Sequence, residues 1–387
     1  MMISNNAHHE VLRNENLENQ DLIASLRSFA GEGAHYLPCA GNLGDGLIAL
    51  GTMQLFADLG LAIPIVSGLS PSALEGVDRV IVGGGGGWVE GAWEHYANML
   101  QPFLERGGQA LVLPSTVLGF GSFFARFGQQ IVFFARESAT EQRLKETRAM
   151  SGRVFAAHDL AFDVDLATLD LPAMEAQHRT LKILRGDAES LASAVEPAAP
   201  DLPSMWNGLQ WSSEELCRGP LRAVASIMLQ FERLETDRLH MAVLGAMLGR
   251  QVVLRANSYF KNQAVFEASL QRFPNVTFEA SCTPAAATDW PNGSGDLHLQ
   301  LAWQHREIQE LRARVLHYAA RLDRMADFAS AVEPAPVDAE LQAFLTSRGF
   351  RLWRWYLGLY DVPGLGPVLG GARRLVGSAR RVGKVGT

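Results

Sequence analysis

Apolar residues in this chain fall into short unbroken runs, and most runs end in glycine or in a cluster of polar residues. Arg79-Val80-Ile81-Val82, Ala110 to Leu113, Ile131 to Phe134 and Val154 to Ala157 have strand length and no polar alternation. That is the pattern of strands covered on both faces, as in a parallel sheet. His35 to Ala40 fits a first strand, with Gly41 to Gly46 as the turn after it. Helical spacing lies between the runs. Leu22, Ile23, Leu26 and Phe29 share one side of 19–30, and 47–59 and 91–106 read as further helices, the latter ended by Gly107-Gly108. Strand, glycine turn and helix in repetition form the unit of a parallel α/β fold. A second series opens near residue 180: a strand at Leu181 to Leu184, a helix near 212–230, an apolar helix running to Leu248 and stopped by Gly249, and strands at Gln251 to Leu254 and Val276 to Glu279.

Beyond 280 the pattern changes. Residues 280–297 are rich in Thr, Pro, Ala, Gly and Asp and read as a linker. Leu301, Ile308, Val315 and Leu322 then recur every seven residues, with Leu311, Tyr318 and Met325 three later, which predicts an amphipathic helix. It suits packing on its own protein and a homodimeric coil equally. After a Pro-Ala-Glu hinge, the last 40 residues carry eight basic residues against Asp361 alone, a net of +7, interleaved with Trp353, Trp355, Tyr356 and Tyr360. Basic and aromatic residues together suit an anionic membrane surface. The expected organisation is an N-terminal α/β domain at 1–178, a second at 179–297, the heptad helix at 298–330, and the hinge and basic aromatic tail at 331–387.

Composition narrows the partners. The 387 residues carry a net charge of −7, which argues against nucleic acid. Cys39, Cys217 and Cys282 are scattered, with no metal spacing and no even disulfide set, as expected in a reducing compartment. No apolar run reaches the length of a membrane span, and the N-terminus lacks the apolar core of a signal peptide. The expectation is a cytoplasmic protein, peripheral at the inner face of the cell membrane, with no metal.

The densest chemistry lies at Thr236-Asp237-Arg238-Leu239-His240. A helix start presents unpaired N–H groups and partial positive charge. Thr236 or Asp237 is placed to cap it. Arg238 adds a planar fork for a carboxylate or phosphate, and His240 a group that moves protons near neutral pH. The bland alternative is a capped helix with Arg238 paired to Asp237 or Glu235. Asn42 and Asp45 are equally suited to capping a helix and to touching a ligand. Gly83 to Gly87 reads as a strand-to-helix turn or as a place of close approach.

Taken in order, these pieces resemble the polysaccharide pyruvyl transferase family. The likeness rests on Gly41-Asn42-Leu43-Gly44-Asp45, Gly83 to Gly87, Leu113-Pro114-Ser115, Ala135-Arg136-Glu137-Ser138, His158-Asp159-Leu160-Ala161-Phe162, Arg185-Gly186-Asp187-Ala188-Glu189, Thr236 to His240, and Asn257-Ser258-Tyr259-Phe260-Lys261-Asn262, over roughly 41–265. Met241 and His158 depart from the family's usual Gly and Pro, and Phe260 from its frequent Gly. The resemblance implies two Rossmann-like domains in a GT-B-like arrangement, acceptor side first and donor side second. It implies transfer of the pyruvyl group of phosphoenolpyruvate, a co-substrate rather than a cofactor, onto a sugar diol of a surface polysaccharide or its lipid-linked precursor. His240, Arg238 and Arg136 are then the catalytic set. Thr236, Asp237, Lys261 and Ser258 bind the donor, and Asn42, Asp45, Gly84 and Gly85 bind the acceptor. A second acid or base falls among Asp45, Glu137 and Asp159. A nucleotide-sugar glycosyltransferase of GT-B type is the alternative enzyme, and a membrane-bound scaffold the non-enzymatic one.

Overall fold

The computed structural model describes residues 6–187, 189–191 and 201–280, all within one compact unit, Met1–Trp303. The expected linker, heptad helix and basic tail lie outside the described residues. Two helices open the chain, α1 (Asn6–Glu18) and α2 (Gln20–Gly31), followed by β1 (His35–Leu37), the short β2 (Ala40–Gly41) and α3 (Leu43–Asp58). Then come β3 (Arg79–Val82), β4 (Gly85–Val89), α4 (His95–Glu105), β5 (Gln109–Leu118), α5 (Gly121–Phe127), β6 (Ile131–Ala135), α6 (Ser138–Glu146) and β7 (Val154–Ala156). The second series is β8 (His178–Ile183), β9 (Leu209–Gln210), α7 (Glu214–Leu229), β10 (Phe231–Thr236), α8 (Leu239–Met247), β11 (Gln251–Arg255), α9 (Lys261–Ala268) and β12 (Val276–Glu279). The expected boundary at 178/179 falls on the first residue of β8.

Two parallel sheets result, one in the order β1-β3-β5-β6-β7 and one in the order β12-β11-β10-β8. The fold is α/β and Rossmann-like. Several elements differ from their sequence reading for physical reasons. α1 was not expected, because it anchors with His9 and Asn16 as well as Leu12 and so shows no apolar stripe. β10 carries Glu232, Arg233 and Glu235 and buries only Leu234 and Thr236, which hides a central strand behind charge. The glycine run is neither simple turn nor helix start. Its last three residues open β4, which pairs with β5 from Ser115 onward, and α4 begins only at His95. β5 likewise continues past Pro114, with a register shift between Val112 and Ser115 that accommodates the missing N–H.

The position of the site follows from α3. Its sequence, LGDGLIALGTMQLFAD, is apolar all round, and most of it is buried. One core continues from Tyr36, Ile81 and Phe134 of the first sheet through Leu47 and Leu50 of α3 to Val224 of α7, Leu244 of α8 and Leu254 of β11. α3 starts at Leu43, four residues earlier than its apolar run, because Asn42 and Asp45 form a capping box: the Gly44 N–H donates to Asn42 Oδ1 at 2.7 Å and the Asn42 N–H to Asp45 Oδ2 at 2.8 Å. This packing brings the first turn of α3 against that of α8.

Candidate active site

Two buried side chains and one half-buried imidazole meet where β6 and β7 end and α8 begins. Arg136 follows β6, Asp159 follows β7, and His240 lies in the first turn of α8. Arg136 donates through Nε to Thr116 Oγ1 at 2.9 Å and through Nη1 to Asp159 Oδ2 at 2.6 Å. Both side chains of this ion pair are fully buried. His240 Nε2 lies 3.2 Å from the same Oδ2 and 3.4 Å from Arg136 Nη1. Its ring stands directly on Gly44, where a Cβ would come within 2.6 Å of Nδ1. Burial pushes the Asp159 carboxyl up, but the charges of His240 and Arg136 outweigh it and hold the group well below the usual carboxylate range. Asp159 therefore stays ionised, and it fixes both the guanidinium and the imidazole. Arg136 Nη2 has no hydrogen-bond partner among the described residues.

Asp45 completes the near side. Burial raises its carboxyl above the ordinary value, although His240, Lys261 and Arg136 oppose the shift. Burial thus shifts this carboxyl toward its protonated form, the direction a proton donor requires. Glu137 is not in the cluster; it caps α6 by accepting the Thr140 N–H at 2.9 Å. On the far side, Lys261 is buried and donates to Glu189 Oε2 at 2.6 Å. Burial pulls this ammonium down to about 8, against the pull of Glu189.

The glycine run forms the floor between them. A Cβ on Gly84 would lie 2.6 Å from the Pro114 carbonyl oxygen, so that glycine is demanded by protein packing. Gly85 has φ +117°, a conformation that side chains rarely adopt, and its Cβ direction points at Ile48 and Asp45. Gly86 differs. A Cβ there would meet Arg136 Nη2 and Lys261 Nζ, each at 3.7 Å. Gly86 is thus the point over which two cationic groups converge.

The other expected donor residues are placed elsewhere. Arg238 presents its fork to Asp201, with Nε 2.9 Å from Oδ1, and its Nη2 is also 3.1 Å from Asp187 Oδ2. Arg238 is itself the N-cap residue of α8, and no side chain caps that helix. Thr236 donates to the Ile183 carbonyl at 2.6 Å and accepts the Arg238 N–H at 3.0 Å, while Asp237 accepts the Arg185 N–H at 2.8 Å. These two hold the strand-end loops together. The Ser258 side chain is exposed, and its N–H donates to the Glu189 carbonyl. Arg185 pairs with Asp187 at 2.7 Å, as an internal ion pair should. Sequence reasoning singled out neither Gly86 nor Glu189. Glu189 stood inside a quoted motif, but nothing local marks it as a hub. Among the described residues no group of three His, Cys, Asp or Glu side chains is arranged for a metal ion, and no helix is long and apolar enough to cross a membrane.

The family profile described as polysaccharide pyruvyl transferase matches residues 42–259, which span every group in this cluster except Lys261. The chain belongs to the polysaccharide pyruvyl transferase family. Membership makes it a transferase and does not favour the nucleotide-sugar alternative. No curated protein matches the chain. Among solved structures, a functionally uncharacterized protein from Klebsiella pneumoniae subsp. pneumoniae is similar at 28% identity and TM-score 0.59, over 69% of this chain and 99% of that one. The similarity supports the α/β fold.

Proposed function

We propose that the protein transfers the pyruvyl group of phosphoenolpyruvate onto two hydroxyls of a sugar, closing a cyclic ketal and releasing phosphate. The buried Arg136–Asp159–His240 cluster, opened on one side by the free Nη2 of Arg136, carries this reading. The donor brings about three negative charges, which require fixed donors. Arg136 and Lys261 supply them over Gly86. A proton delivered to the methylene carbon makes the central carbon electrophilic, and Asp45, whose proton affinity burial raises, is the proposed donor. One sugar hydroxyl adds to that carbon and loses its proton to His240. The second hydroxyl displaces phosphate. Of the two hydroxyl protons, one replaces the proton given to the new methyl group and the other leaves with phosphate. Enclosure between the two sheets keeps water from the activated carbon.

Two parallel sheets with strand-end loops facing one site support a GT-B-like arrangement, with the 179–297 side supplying Lys261 and His240 to the donor. The basic aromatic tail supports an acceptor carried at an anionic membrane, such as a lipid-linked saccharide, and co-sedimentation of the full chain with anionic liposomes tests that part. For the chemistry, phosphoenolpyruvate and a nucleotide sugar are compared for their effect on melting temperature. Phosphoenolpyruvate should raise it. His240→Ala should abolish transfer yet keep that response, since it moves a proton and does not match charge. Stabilisation by the nucleotide sugar alone, or wild-type turnover in His240→Ala, overturns the reading.

A further inference from the structure

The environment of Lys261 contains a group with no part in the chemistry so far. Glu189 is buried and accepts from four side chains: Trp93 Nε1 at 2.9 Å through Oε1, and Arg185 Nη1 at 2.5 Å, Asn257 Nδ2 at 3.2 Å and Lys261 Nζ at 2.6 Å through Oε2. Trp93 comes from the loop after β4, so the carboxylate ties that loop to the strand ends of the second sheet. A buried ammonium with no partner would lose its proton rather than bear the desolvation. Lys261 meets Arg185 and Arg136 as like charges, Asp45 and Glu189 as opposite ones, and the Tyr259 ring at 5.1 Å. Of these, Glu189 alone touches the ammonium through a hydrogen-bonded carboxylate.

We propose that Glu189 is a positioning residue, which keeps Lys261 protonated and aimed over Gly86, opposite Arg136 Nη2, so that the two cations act as one clamp on the anionic donor. The proposal rests on the pyruvyl transferase reading of the site. It assigns the alkaline limit of donor binding to one lysine and its setting to one carboxylate. With Lys261 at about 8, donor affinity falls as pH rises through that value, because the competent fraction of protein falls with it. Removing the Glu189 charge takes away the opposite charge that favours the ammonium, and the limit moves to lower pH by roughly one to three units.

The test is calorimetric titration of the full chain with phosphoenolpyruvate from pH 6 to pH 9, on wild type, Glu189→Gln and Lys261→Met. Glutamine keeps the shape and one acceptor while it removes the charge. Wild type should lose affinity by about tenfold between pH 7 and pH 9, as one titrating group predicts. Glu189→Gln should show the same loss displaced to lower pH, and Lys261→Met should be weak and flat across the range. A merely structural Glu189 would instead weaken binding by the same factor at every pH, which overturns the proposal, as does a wild-type affinity flat to pH 9. If Glu189→Gln does not fold, the wild-type and Lys261→Met profiles still decide whether Lys261 sets the limit. Absence of any phosphoenolpyruvate binding by wild type at pH 6 overturns the transferase reading itself, a result distinct from the others.

Discussion

Gly86→Ala separates the fold from the site more cleanly than any charge substitution. A methyl group at Gly86 meets its nearest atoms at 3.7 Å, which is ordinary van der Waals contact, and no positive φ opposes it. Stability should therefore lie between no change and a gain of about 1 kcal/mol, the latter from the reduced freedom of the unfolded chain. Donor binding should suffer, because the methyl stands between Arg136 Nη2 and Lys261 Nζ and excludes the anion's oxygen from that point. Loss of one hydrogen bond to a charged group costs about 1.5–3 kcal/mol, or roughly 10- to 100-fold in Kd. Gly84→Ala is the control, since its Cβ would press on a backbone carbonyl at 2.6 Å and should cost about 1–3 kcal/mol of stability. Thermal melts and calorimetric titration with phosphoenolpyruvate measure the two effects separately. Wild-type affinity in Gly86→Ala would refute a donor site over this floor, and destabilisation equal to that of Gly84→Ala would refute the reading of the space.

Two further outcomes follow from the buried charges. Asp159→Asn leaves Arg136 buried without its counter-charge and should cost about 3–5 kcal/mol in denaturant titrations; an unchanged midpoint would show that the pair is not as buried as its geometry indicates. Because Asp159 is held below its unfolded value, its contribution is present above about pH 4 and is lost as pH falls through the folded value, so the cost of Asp159→Asn should shrink in acid. Asp237 has the opposite sign: burial raises it to about 6, so the folded state binds its proton more tightly and stability falls as pH rises through roughly 4 to 6. Asp237→Asn, which still accepts the Arg185 N–H, should therefore stabilise by on the order of 2 kcal/mol at pH 7 and by little at pH 4; destabilisation at pH 7 would contradict this.

Local pattern was enough for much of the architecture. Unbroken apolar runs of strand length marked most strands of the first sheet, and the polar residues just past Ala135 and Ala157 stood out as site candidates because strand ends in parallel sheets carry sites. The order of short motifs carried the family. β10 and α1 escaped because their burial is selective, with charged or polar side chains on faces that only neighbouring elements define. The assignment of site residues divides along the same line. His240 and Arg136 were named from residue type and position, but they are 104 residues apart in the chain, and only the fold shows them on one carboxylate. Arg238 has the right chemistry for an anion, yet the structure gives its fork to Asp187 and Asp201, which no spacing rule would have paired with it. In the glycine run five identical residues cannot be told apart by sequence. Packing against Pro114, a positive φ and an open face toward Arg136 and Lys261 give Gly84, Gly85 and Gly86 three different reasons to be glycine. Periodicity and residue chemistry are properties of short segments and can be read along the chain; which charge meets which, and which glycine faces the two cations, depends on contacts between distant segments and exists only once they have packed.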